Sequence, residues 1–279
     1  MTDRQDKILE ILARGQRVEV SVLADVLAVS QVTIRKDLDQ LEEKGFIKRE
    51  HGFALFGPID DVGRRMAVNY EVKRKIAKAA AELVEEDETV LIESGSCCAL
   101  LAEELANTKP GVTIITNSAF IANHIRHAPH ANVILLGGEY QNESQMLVGS
   151  MTSKWAEIFM SDKFFIGTDG FTQKYGFTGR DHLRTQTVRD MAQQAGRIIV
   201  LTDSDKFSHQ GDEGLVRTEQ VSAVFTDTQI SGEMESFLTG QGVTVYKVPR
   251  NCAVREGGQE SGQENSRPEP EEKVALPVM

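Results

Sequence analysis

The sequence lacks any apolar run that approaches the roughly 20 residues needed to cross a bilayer, and its amino terminus is charged where a signal peptide would be apolar. Cysteine is also scarce. Cys97 and Cys98 are adjacent and Cys252 lies near a polar tail, a spacing that gives neither a disulfide framework nor a set of zinc ligands. We therefore expect a cytoplasmic protein with no membrane segment, no bound metal and no cofactor.

The chain has no overall excess of basic residues either, because its formal net charge is -11. Lysine and arginine supply the sequence-independent part of DNA affinity by neutralising phosphates. The net charge does not exclude DNA binding, since the local placement of the cations decides whether a surface attracts DNA. It does predict weak non-specific binding and marked salt sensitivity for any DNA-binding surface on this chain.

The most informative segment is 29–38, Val-Ser-Gln-Val-Thr-Ile-Arg-Lys-Asp-Leu. Ser30 is a good helix N-cap, because its hydroxyl can accept a hydrogen bond from a free N–H group of the first turn. Ile34, Leu38 and Leu41 then fall on one helical face. A helix in the major groove needs such an apolar back, with outward donors for base edges and phosphates. The predicted DNA-contacting residues of this segment are Ser30, Gln31, Thr33, Arg35 and Lys36.

An ordinary amphipathic surface helix would show the same pattern, so the preceding residues decide between the two interpretations. Residues 4–12 have apolar side chains at helical spacing, and Gly15 with Gln16 ends that helix. Ser21 is the predicted cap of a second short helix, and a tight turn leads into the third. Three short helices in this order are typical of the helix-turn-helix plan.

The residues after the third helix predict a β-hairpin, or wing. Lys44 and Gly45 end the helix, and two short β-like runs follow at 46–49 and 51–56. Such a wing would place basic side chains near the phosphate backbone of DNA. These side chains are Lys48, Arg49 and His51.

This region resembles the DeoR-type bacterial transcriptional regulators. The matching residues are Val29, Ser30, Thr33, Ile34, Arg35, Lys36, Asp37, Leu38, Leu41, Gly45, Arg49, His51 and Gly52. The family usually has two glycines after the histidine, whereas Phe53 follows Gly52 here, so a stiffer wing tip is expected. The resemblance implies a winged helix-turn-helix domain whose partner is double-stranded operator DNA.

From residue 73 onward the pattern changes to apolar, β-rich runs that alternate with helix-like segments. This alternation indicates an α/β domain with a parallel sheet buried on both faces. The predicted strands are 89–92, 112–115, 133–136, 164–166, 198–201, 223–225 and 243–248. With the amino-terminal motif, the fold class is a winged helix-turn-helix domain followed by a parallel-sheet α/β domain.

Small polar residues follow five of these predicted strands. The carboxyl ends of parallel strands converge on a crevice where ligands bind, so these turns predict a site for a small polar ligand. One turn, Ser94-Gly95-Ser96-Cys97, is a plausible phosphate cradle, with Lys206 as the opposing cation. Each turn alone is equally typical of helix caps and loops. The candidate ligand-binding residues are Glu93, Gly95, Ser96, Cys97, Thr116, Asn117, Ser118, Gly137, Gly138, Asp169, Asp203 and Lys206.

These turns also resemble the effector domain of the DeoR-type regulators, which shares the fold of ribose-phosphate isomerase and glucosamine-phosphate deaminase. The resemblance implies a phosphorylated sugar or related metabolite as effector. Two departures bear on the ligand: Glu93 and Cys97 replace an aspartate and a threonine, and Gln186 with Val188 replaces a glutamate and a lysine. Phosphate partners that could substitute are Arg180, Arg184 and Arg189.

At 279 residues the chain is long enough for two domains. We expect a DNA-binding domain at 1–57, a linker at 58–72, an effector-sensing domain at 73–250 and a disordered tail at 251–279, where aromatic residues are absent. Coupling would run through the charged connector at 60–72. Paired heads on an operator would require a homodimer or homotetramer.

Three functions fit the sequence. The first is a sequence-specific transcriptional regulator, most simply a repressor, that is controlled by a phosphorylated metabolite. The second is a sugar-phosphate isomerase or deaminase with an appended DNA-binding domain, for which Glu93, Asp169 and Asp203 are the available carboxylates. The third is a DNA-binding protein with a ligand-free structural domain. The absence of a charged pair at Gln186 and Val188 disfavours catalysis.

Overall fold

The computed structural model describes residues 2–15, 17–56, 61–130 and 132–250. The predicted tail at 251–279 and the start of the predicted linker at 58–60 lie outside these residues. Within the described ranges, none of the helices combines the length and the apolar character that crossing a membrane requires.

The amino-terminal domain, here called the head, contains three helices and a small antiparallel sheet. The helices are α1 (Asp3–Gly15), α2 (Val20–Val26) and α3 (Gln31–Glu43), and the strands are β1 (Arg17–Glu19), β2 (Lys48–Glu50) and β3 (Phe53–Leu55). Strand β3 pairs with both β1 and β2, so β2 and β3 form the predicted wing. Strand β1 has no signal in the sequence pattern, because it is only three residues long.

Helix α3 forms as its sequence predicts. The Ser30 hydroxyl accepts a hydrogen bond from the Thr33 N–H at 3.2 Å, and Ile34, Leu38 and Leu41 are completely buried. The helix ends before Gly45, whose φ of +78° is a left-handed conformation that glycine adopts without strain. The predicted winged helix-turn-helix arrangement is confirmed.

The predicted cap of the second helix is wrong. Helix α2 begins at Val20 with Glu19 as N-cap, so Ser21 lies inside the first turn. The Val20 N–H donates to the Gly52 carbonyl of the wing at 2.9 Å. Because the wing satisfies this free N–H group, the helix starts without a side-chain cap.

The second domain, here called the body, is built around a seven-stranded sheet in the order β15-β14-β12-β9-β4-β5-β6, with all pairs parallel. Its strands are β4 (Thr89–Ile92), β5 (Thr113–Thr116), β6 (Asn132–Leu135), β9 (Ser161–Ile166), β12 (Ala195–Leu201), β14 (Val221–Asp227) and β15 (Thr244–Val248). All seven correspond to predicted runs. The α/β fold class is therefore confirmed.

Seven helices accompany this sheet in the described part of the body. They are α4 (Val62–Ala67), α5 (Tyr70–Ala81), α6 (Ser96–Thr108), α7 (Ala119–His124), α8 (Ser150–Ala156), α9 (His182–Ala192) and α10 (Gly232–Gly240). Five short strands form two small accessory sheets that the sequence pattern did not predict: β7 (Glu139–Gln141) with β8 (Met146–Val148), and β10 (Gly170–Thr172) with β11 (Gly176–Gly179) and β13 (Glu213–Val216).

The strand order reverses between β4 and β9. From β4 the chain adds β5 and β6 on one side, and from β9 it adds the remaining strands on the other. Loops on the two sides of this point diverge and leave a crevice outside the carboxyl ends of the strands. The topology therefore places the candidate ligand site after β4 and β9.

The described part of the segment predicted as a linker, residues 61–72, is mostly helical and packs against both domains. It contains α4 and the first turn of α5, joined at Asn69, whose φ is +56°. Phe46 of the head lies edge-on to the rings of Tyr70 and His124, with centroid distances of 5.7 and 6.5 Å. Buried residues of the head and of one face of the body form one continuous core.

One ionisable group at the junction between head and body is destabilised by its surroundings. Asp6 of α1 is partly buried, its Oδ1 atom makes no hydrogen bond within the described residues, and Glu71 of α5 is nearby. Burial and the Glu71 charge raise the pKa of Asp6 to about 6. Above that pH the folded protein holds a poorly solvated negative charge.

We predict that Asp6→Asn stabilises the protein near neutral pH. Because the folded pKa of about 6 exceeds the ordinary value of 3.8, stability falls as the pH rises through this interval. We expect the free energy of unfolding to increase by about 1–2 kcal/mol at neutral pH, after discounting for partial exposure, and to change little near pH 4. Urea unfolding at both pH values measures this difference. The control is Glu10→Gln, which neutralises an exposed carboxylate of the same helix, and a gain that is equal at both pH values would contradict the account.

Candidate functional site

The exposed face of α3 presents the predicted DNA-reading side chains. Gln31, Arg35 and Lys36 are exposed and Thr33 is partly exposed, all opposite the buried Ile34 stripe. The Arg35 guanidinium lies 3.4 Å from the Gln31 amide oxygen. The helix therefore offers a row of donors and acceptors of the kind that reads base edges.

The wing carries its cations unequally. Lys48 is exposed, and His51 is exposed at the tip, where Gly52 has a φ of +89°. Arg49 is ion-paired with Asp39 of α3, and its backbone N–H donates to Glu42 at 2.9 Å. Arg49 thus ties the wing to α3, and it would have to leave Asp39 to contact a phosphate.

A further ion pair fixes the orientation of α3. The Arg4 Nε atom of α1 lies 2.5 Å from Asp37 Oδ2, and the Asp37 side chain is almost fully buried. Sequence analysis treated Asp37 only as part of the family motif. Its position three residues after the buried Ile34 was the available signal that it faces the core.

The crevice at the switch point of the sheet is a cavity of about 320 Å³. Loops after β4, β9 and β12 line it, together with residues of α4, α5 and α9. Its polar and charged lining residues are Arg64, Arg65, Asn69, Lys73, Glu93, Ser96, Cys97, Thr168, Asp169, Arg180, Asp181, Arg184, Thr185, Thr202, Asp203, Asp205, Lys206 and His209. The crevice thus combines many cations with several carboxylates, as expected for a polar, charged ligand.

Three of the five predicted turns meet in this crevice. They contribute Glu93, Gly95, Ser96 and Cys97 after β4, Asp169 after β9, and Asp203 and Lys206 after β12. The topology explains this selection, because these three strands are neighbours around the switch point. Fewer of the predicted turns therefore converge on one site than the sequence pattern indicated.

The other two turns lie outside the crevice and have local structural roles. After β5, the Thr116 hydroxyl accepts from the Ser118 N–H, the Ser118 hydroxyl caps α7, and the Asn117 amide donates to the Leu147 carbonyl. After β6, the Gly137 carbonyl accepts from Thr152, and a Cβ atom at Gly138 would lie 2.0 Å from the Thr152 hydroxyl. Strands β5 and β6 lie on the far side of β4 from the crevice, which is the physical reason for the difference.

The carboxylate of Glu93 turns toward the backbone at the floor of the crevice. Its Oε2 atom accepts from the Gly167 N–H at 3.1 Å. Burial raises the pKa of Glu93, although the Gly167 hydrogen bond and Arg65 oppose this shift. Glu93 therefore braces the β4 and β9 loops against each other. Cys97 is buried near Lys73 and Asp203, and burial raises the pKa of its thiol to about 12, so the thiol is neutral.

A buried ion pair that sequence analysis did not assign lies at the centre of the crevice. Lys73 of α5 is 3.8 Å from Asp203, and both side chains are almost fully buried. The Lys73 ammonium also donates to the Arg65 carbonyl at 2.5 Å. A lone lysine among the apolar residues on the buried face of α5 was the available signal.

The connector contributes directly to the crevice. The Arg65 guanidinium lies 3.5 Å from the Ser94 carbonyl, and the Asn69 amide donates to Asp205 at 3.0 Å. Within the described residues, Arg65 Nε and Asp203 Oδ1 are buried without hydrogen-bond partners. The crevice thus holds one unsatisfied donor and one unsatisfied acceptor.

Helix α9 supplies the opposite wall of the crevice. Val188 and Arg184 line it, whereas Gln186 points outward and donates to Asp190 at 2.7 Å. Arg180 also lines the crevice, but Arg189 does not, because it donates to the Gly214 carbonyl. Of the two family departures on α9, Val188 therefore changes the lining of the crevice, and Gln186 does not line it.

Comparisons with solved structures give partial likenesses to this chain. A D-ribose-5-phosphate isomerase in complex with phospho-erythronic acid is 17% identical, with a TM-score of 0.37, covering 50% of this chain and 54% of that chain. A probable sor operon regulator from Shigella flexneri is 12% identical, with a TM-score of 0.38, covering 61% of this chain and 89% of that chain.

Several curated relatives match almost end to end. The HTH-type transcriptional regulator GolR of Listeria innocua is 30% identical over 247 residues, which is 87% of this chain and 97% of the relative. The putative aga operon transcriptional repressor of Escherichia coli O157:H7 is 29% identical, covering 88% of this chain and 94% of the relative. UlaR of Shigella dysenteriae is 30% identical, covering 88% of this chain and 98% of the relative.

Family models match both domains. Residues 4–57 match the DeoR-like helix-turn-helix domain, and residues 68–228 match the DeoR C-terminal sensor domain. The second match begins inside the connector, so the connector residues from Val68 onward are part of the sensor domain as the family defines it. With its reading helix, its crevice and its full-length relatives, this chain belongs to the DeoR family of DNA-binding transcriptional regulators.

Proposed function

We propose that the protein represses transcription by binding operator DNA through α3 and the wing, and that a phosphorylated sugar or related metabolite in the crevice relieves this binding. The observation that carries the proposal is the position of α4. Gly63 at its start lies against the head, and Arg64 and Arg65 in its middle line the crevice. One short helix thus touches both sites.

The proposed DNA surface comprises Ser30, Gln31, Thr33, Arg35 and Lys36 of α3 with Lys48, Arg49 and His51 of the wing. Arg35 has the length and the forked donors to read a guanine in the major groove, and Lys48 is placed to contact a phosphate. The body carries much of the acidic charge of the chain, so we expect little sequence-independent affinity.

The charges of the crevice support an anionic, hydroxylated ligand. The unsatisfied Arg65 Nε atom would donate to an anionic oxygen, and the unsatisfied Asp203 Oδ1 atom would accept from a hydroxyl group. Lys206, Ser96 and the backbone at Gly95 lie on the same crevice and would hold a phosphate. A phosphorylated sugar offers both kinds of group.

The ligand would act by moving α4. The Lys73 ammonium joins the Arg65 carbonyl to Asp203, so a ligand that engages the free Arg65 Nε and Asp203 Oδ1 atoms acts on the two residues that this link connects. A Cβ atom at Gly63 would lie 1.8 Å from the Gly45 carbonyl oxygen, so α4 has no room to shift toward α3 without moving it. Ligand binding and head position are coupled if the ligand prefers one arrangement of α4.

One further observation supports the repressor role, and a general property of helix-turn-helix proteins supports a paired assembly. The aga relative is named as a transcriptional repressor, and a helix-turn-helix head ordinarily reads an operator as one of a pair. We propose a cytoplasmic homodimer or homotetramer that acts through a head at 1–57 and a sensing unit at 73–250, with the segment 58–72 as the coupling element.

A sugar-phosphate isomerase or deaminase is the second candidate, because Glu93 and Asp169 both line the crevice. One oxygen of each is already engaged, because Glu93 Oε2 accepts from the Gly167 N–H and Asp169 Oδ2 accepts from the Arg180 N–H at 3.1 Å. The third carboxylate, Asp203, is paired with the buried Lys73. We propose that the protein is not an enzyme. The experiment is a turnover assay on aldose and ketose phosphates, in which we expect no isomerisation. Turnover that is lost in Asp169→Asn would establish the enzyme instead.

We predict that Arg35→Ala and Lys48→Ala weaken DNA binding in different ways. Arg35→Ala should lower operator affinity by about 1–3 kcal/mol and relax sequence preference, because a base contact is lost. Lys48→Ala should weaken operator and unrelated DNA similarly and reduce the salt slope by about one, because a phosphate contact is lost. Fluorescence anisotropy with both DNAs at several salt concentrations measures these changes, using the operator footprinted upstream of the protein's own gene. Unchanged operator affinity in Arg35→Ala would remove the basis for the reading surface.

We predict that Lys206→Ala abolishes the response to effector and leaves operator binding intact, because Lys206 lies in the crevice and not at the head. Operator release is titrated with ribose 5-phosphate and a panel of hexose phosphates, with the surface variant Lys78→Ala as the control. Release by the same ligand at the same concentration in Lys206→Ala would exclude the proposed phosphate role. A thermal unfolding curve like that of the wild type would show that a lost response in Lys206→Ala does not come from misfolding.

A further inference from the structure

Helix α8 presents an apolar stripe to solvent. Met151 and Trp155 stand four positions apart on α8 and are 56% and 47% exposed, and Ile158 and Met160 in the turn after the helix are 64% and 92% exposed. Side chains four positions apart lie on one side of a helix, and the turn extends the apolar surface beyond the end of α8. These four residues are called the α8 face below. Scattered single apolar side chains are normal on a surface, but a continuous stripe of large ones is unusual.

The rest of the fold holds α8 in place. Ser153 donates to Asp190 of α9 at 2.5 Å, and Thr152 donates to the Gly137 carbonyl at 2.9 Å. Ala156, on the inner side, is completely buried. The α8 face is therefore the outer side of a packed helix and the turn that follows it.

The size of the α8 face matches the centre of a protein interface. With roughly 200 Å² for a fully exposed large apolar side chain, the four residues expose on the order of 500 Å². A standard interface buries about 800 Å² on each partner, of which about 56–65% is apolar. The α8 face would thus fill the apolar part of one such interface and leave a polar rim.

The charged residues beside the stripe would be complementary to the same residues of a second copy of the chain. Lys154 of α8 and Glu157, the C-cap residue of α8, are both exposed and lie three positions apart, beside Trp155 and Ile158. When two copies of a helix cross antiparallel about a two-fold axis, the contacts are reciprocal. If one residue of the first copy faces a second residue of the other copy, the second residue of the first copy faces the first residue of the other. Lys154 of one copy would then face Glu157 of the other, and the reverse.

The α8 face also leaves the DNA-reading surface open. The head packs on the side of the body that carries Tyr70 and His124, within the core shared by head and body. Ala156 of α8 belongs to the other core, on the opposite side of the sheet. A partner on α8 would therefore not cover α3 through this contact.

We propose that the α8 face is the contact surface between two copies of this chain, related by a two-fold axis, with Lys154 of each copy opposite Glu157 of the other. This inference rests on the proposed function, in which operator binding needs paired heads. It is tested without DNA, so that failure of the interface and failure of DNA recognition are separate results.

The first experiment measures self-association of the full chain by sedimentation velocity over a range of concentrations. The double variant Ile158→Glu with Met160→Glu should raise the dissociation constant at least about 30-fold, because two charges per chain enter the apolar centre of the interface. Both side chains are mostly exposed, so the variant should keep the wild-type far-UV circular dichroism spectrum, which shows that the chain is still folded. The control is Val26→Glu, which changes an apolar residue of the head that is 62% exposed and should leave association unchanged.

The second experiment tests the two-fold geometry by exchanging charges. Lys154→Glu alone and Glu157→Lys alone should each weaken association, because each places like charges opposite one another. The combined exchange, Lys154→Glu with Glu157→Lys, should restore it. A wild-type chain that stays monomeric at all concentrations, or that associates equally well with glutamates at 158 and 160, would overturn the proposal. A combined exchange that stays as weak as the single ones would overturn it as well.

Discussion

The backbone contact between Gly45 and Gly63 is the constraint on which the rest of the structure depends. Gly45 ends α3, the proposed DNA-reading helix, and Gly63 starts α4, and a Cβ atom at Gly63 would lie 1.8 Å from the Gly45 carbonyl oxygen. Phe46 then packs against Tyr70 and His124 of the body. Interfaces packed this closely shift between discrete arrangements and do not deform gradually. The head therefore has a defined position relative to the crevice, which regulation by a ligand requires.

The buried polar groups of the crevice have a cost in folding free energy. Lys73 and Asp203 are both buried, and desolvation of two charges is only partly offset by their attraction. Burial lowers the pKa of Lys73 while Asp203 opposes that shift. Arg65 Nε and Asp203 Oδ1 lack partners within the described residues. A crevice of this kind is poised for a ligand that supplies the missing hydrogen bonds, and the Lys73 link to the Arg65 carbonyl joins that ligand site to the connector.

Local patterns predicted some parts of the molecule and failed for others, and the difference has a physical basis. The Ser30 cap and the buried Ile34 stripe depend on neighbours within two helical turns, so the sequence alone predicts α3. The crevice depends on strand order, which no single turn encodes, so Asn117 and Gly137 have the composition of site residues and lie elsewhere. The ion pair between Lys73 and Asp203 was not predicted, because the two residues are distant in the sequence and close only in the folded chain.

Reciprocal linkage between operator DNA and effector is the most direct test of the central claim that α4 couples the two sites. A sugar phosphate that binds the crevice is first identified by thermal shift, and its affinity is then measured calorimetrically with and without saturating operator DNA. Operator affinity is measured with and without the sugar phosphate. The account predicts that each ligand weakens the other by the same factor, at least about fivefold. A sugar phosphate that binds the crevice and leaves operator affinity unchanged would contradict it.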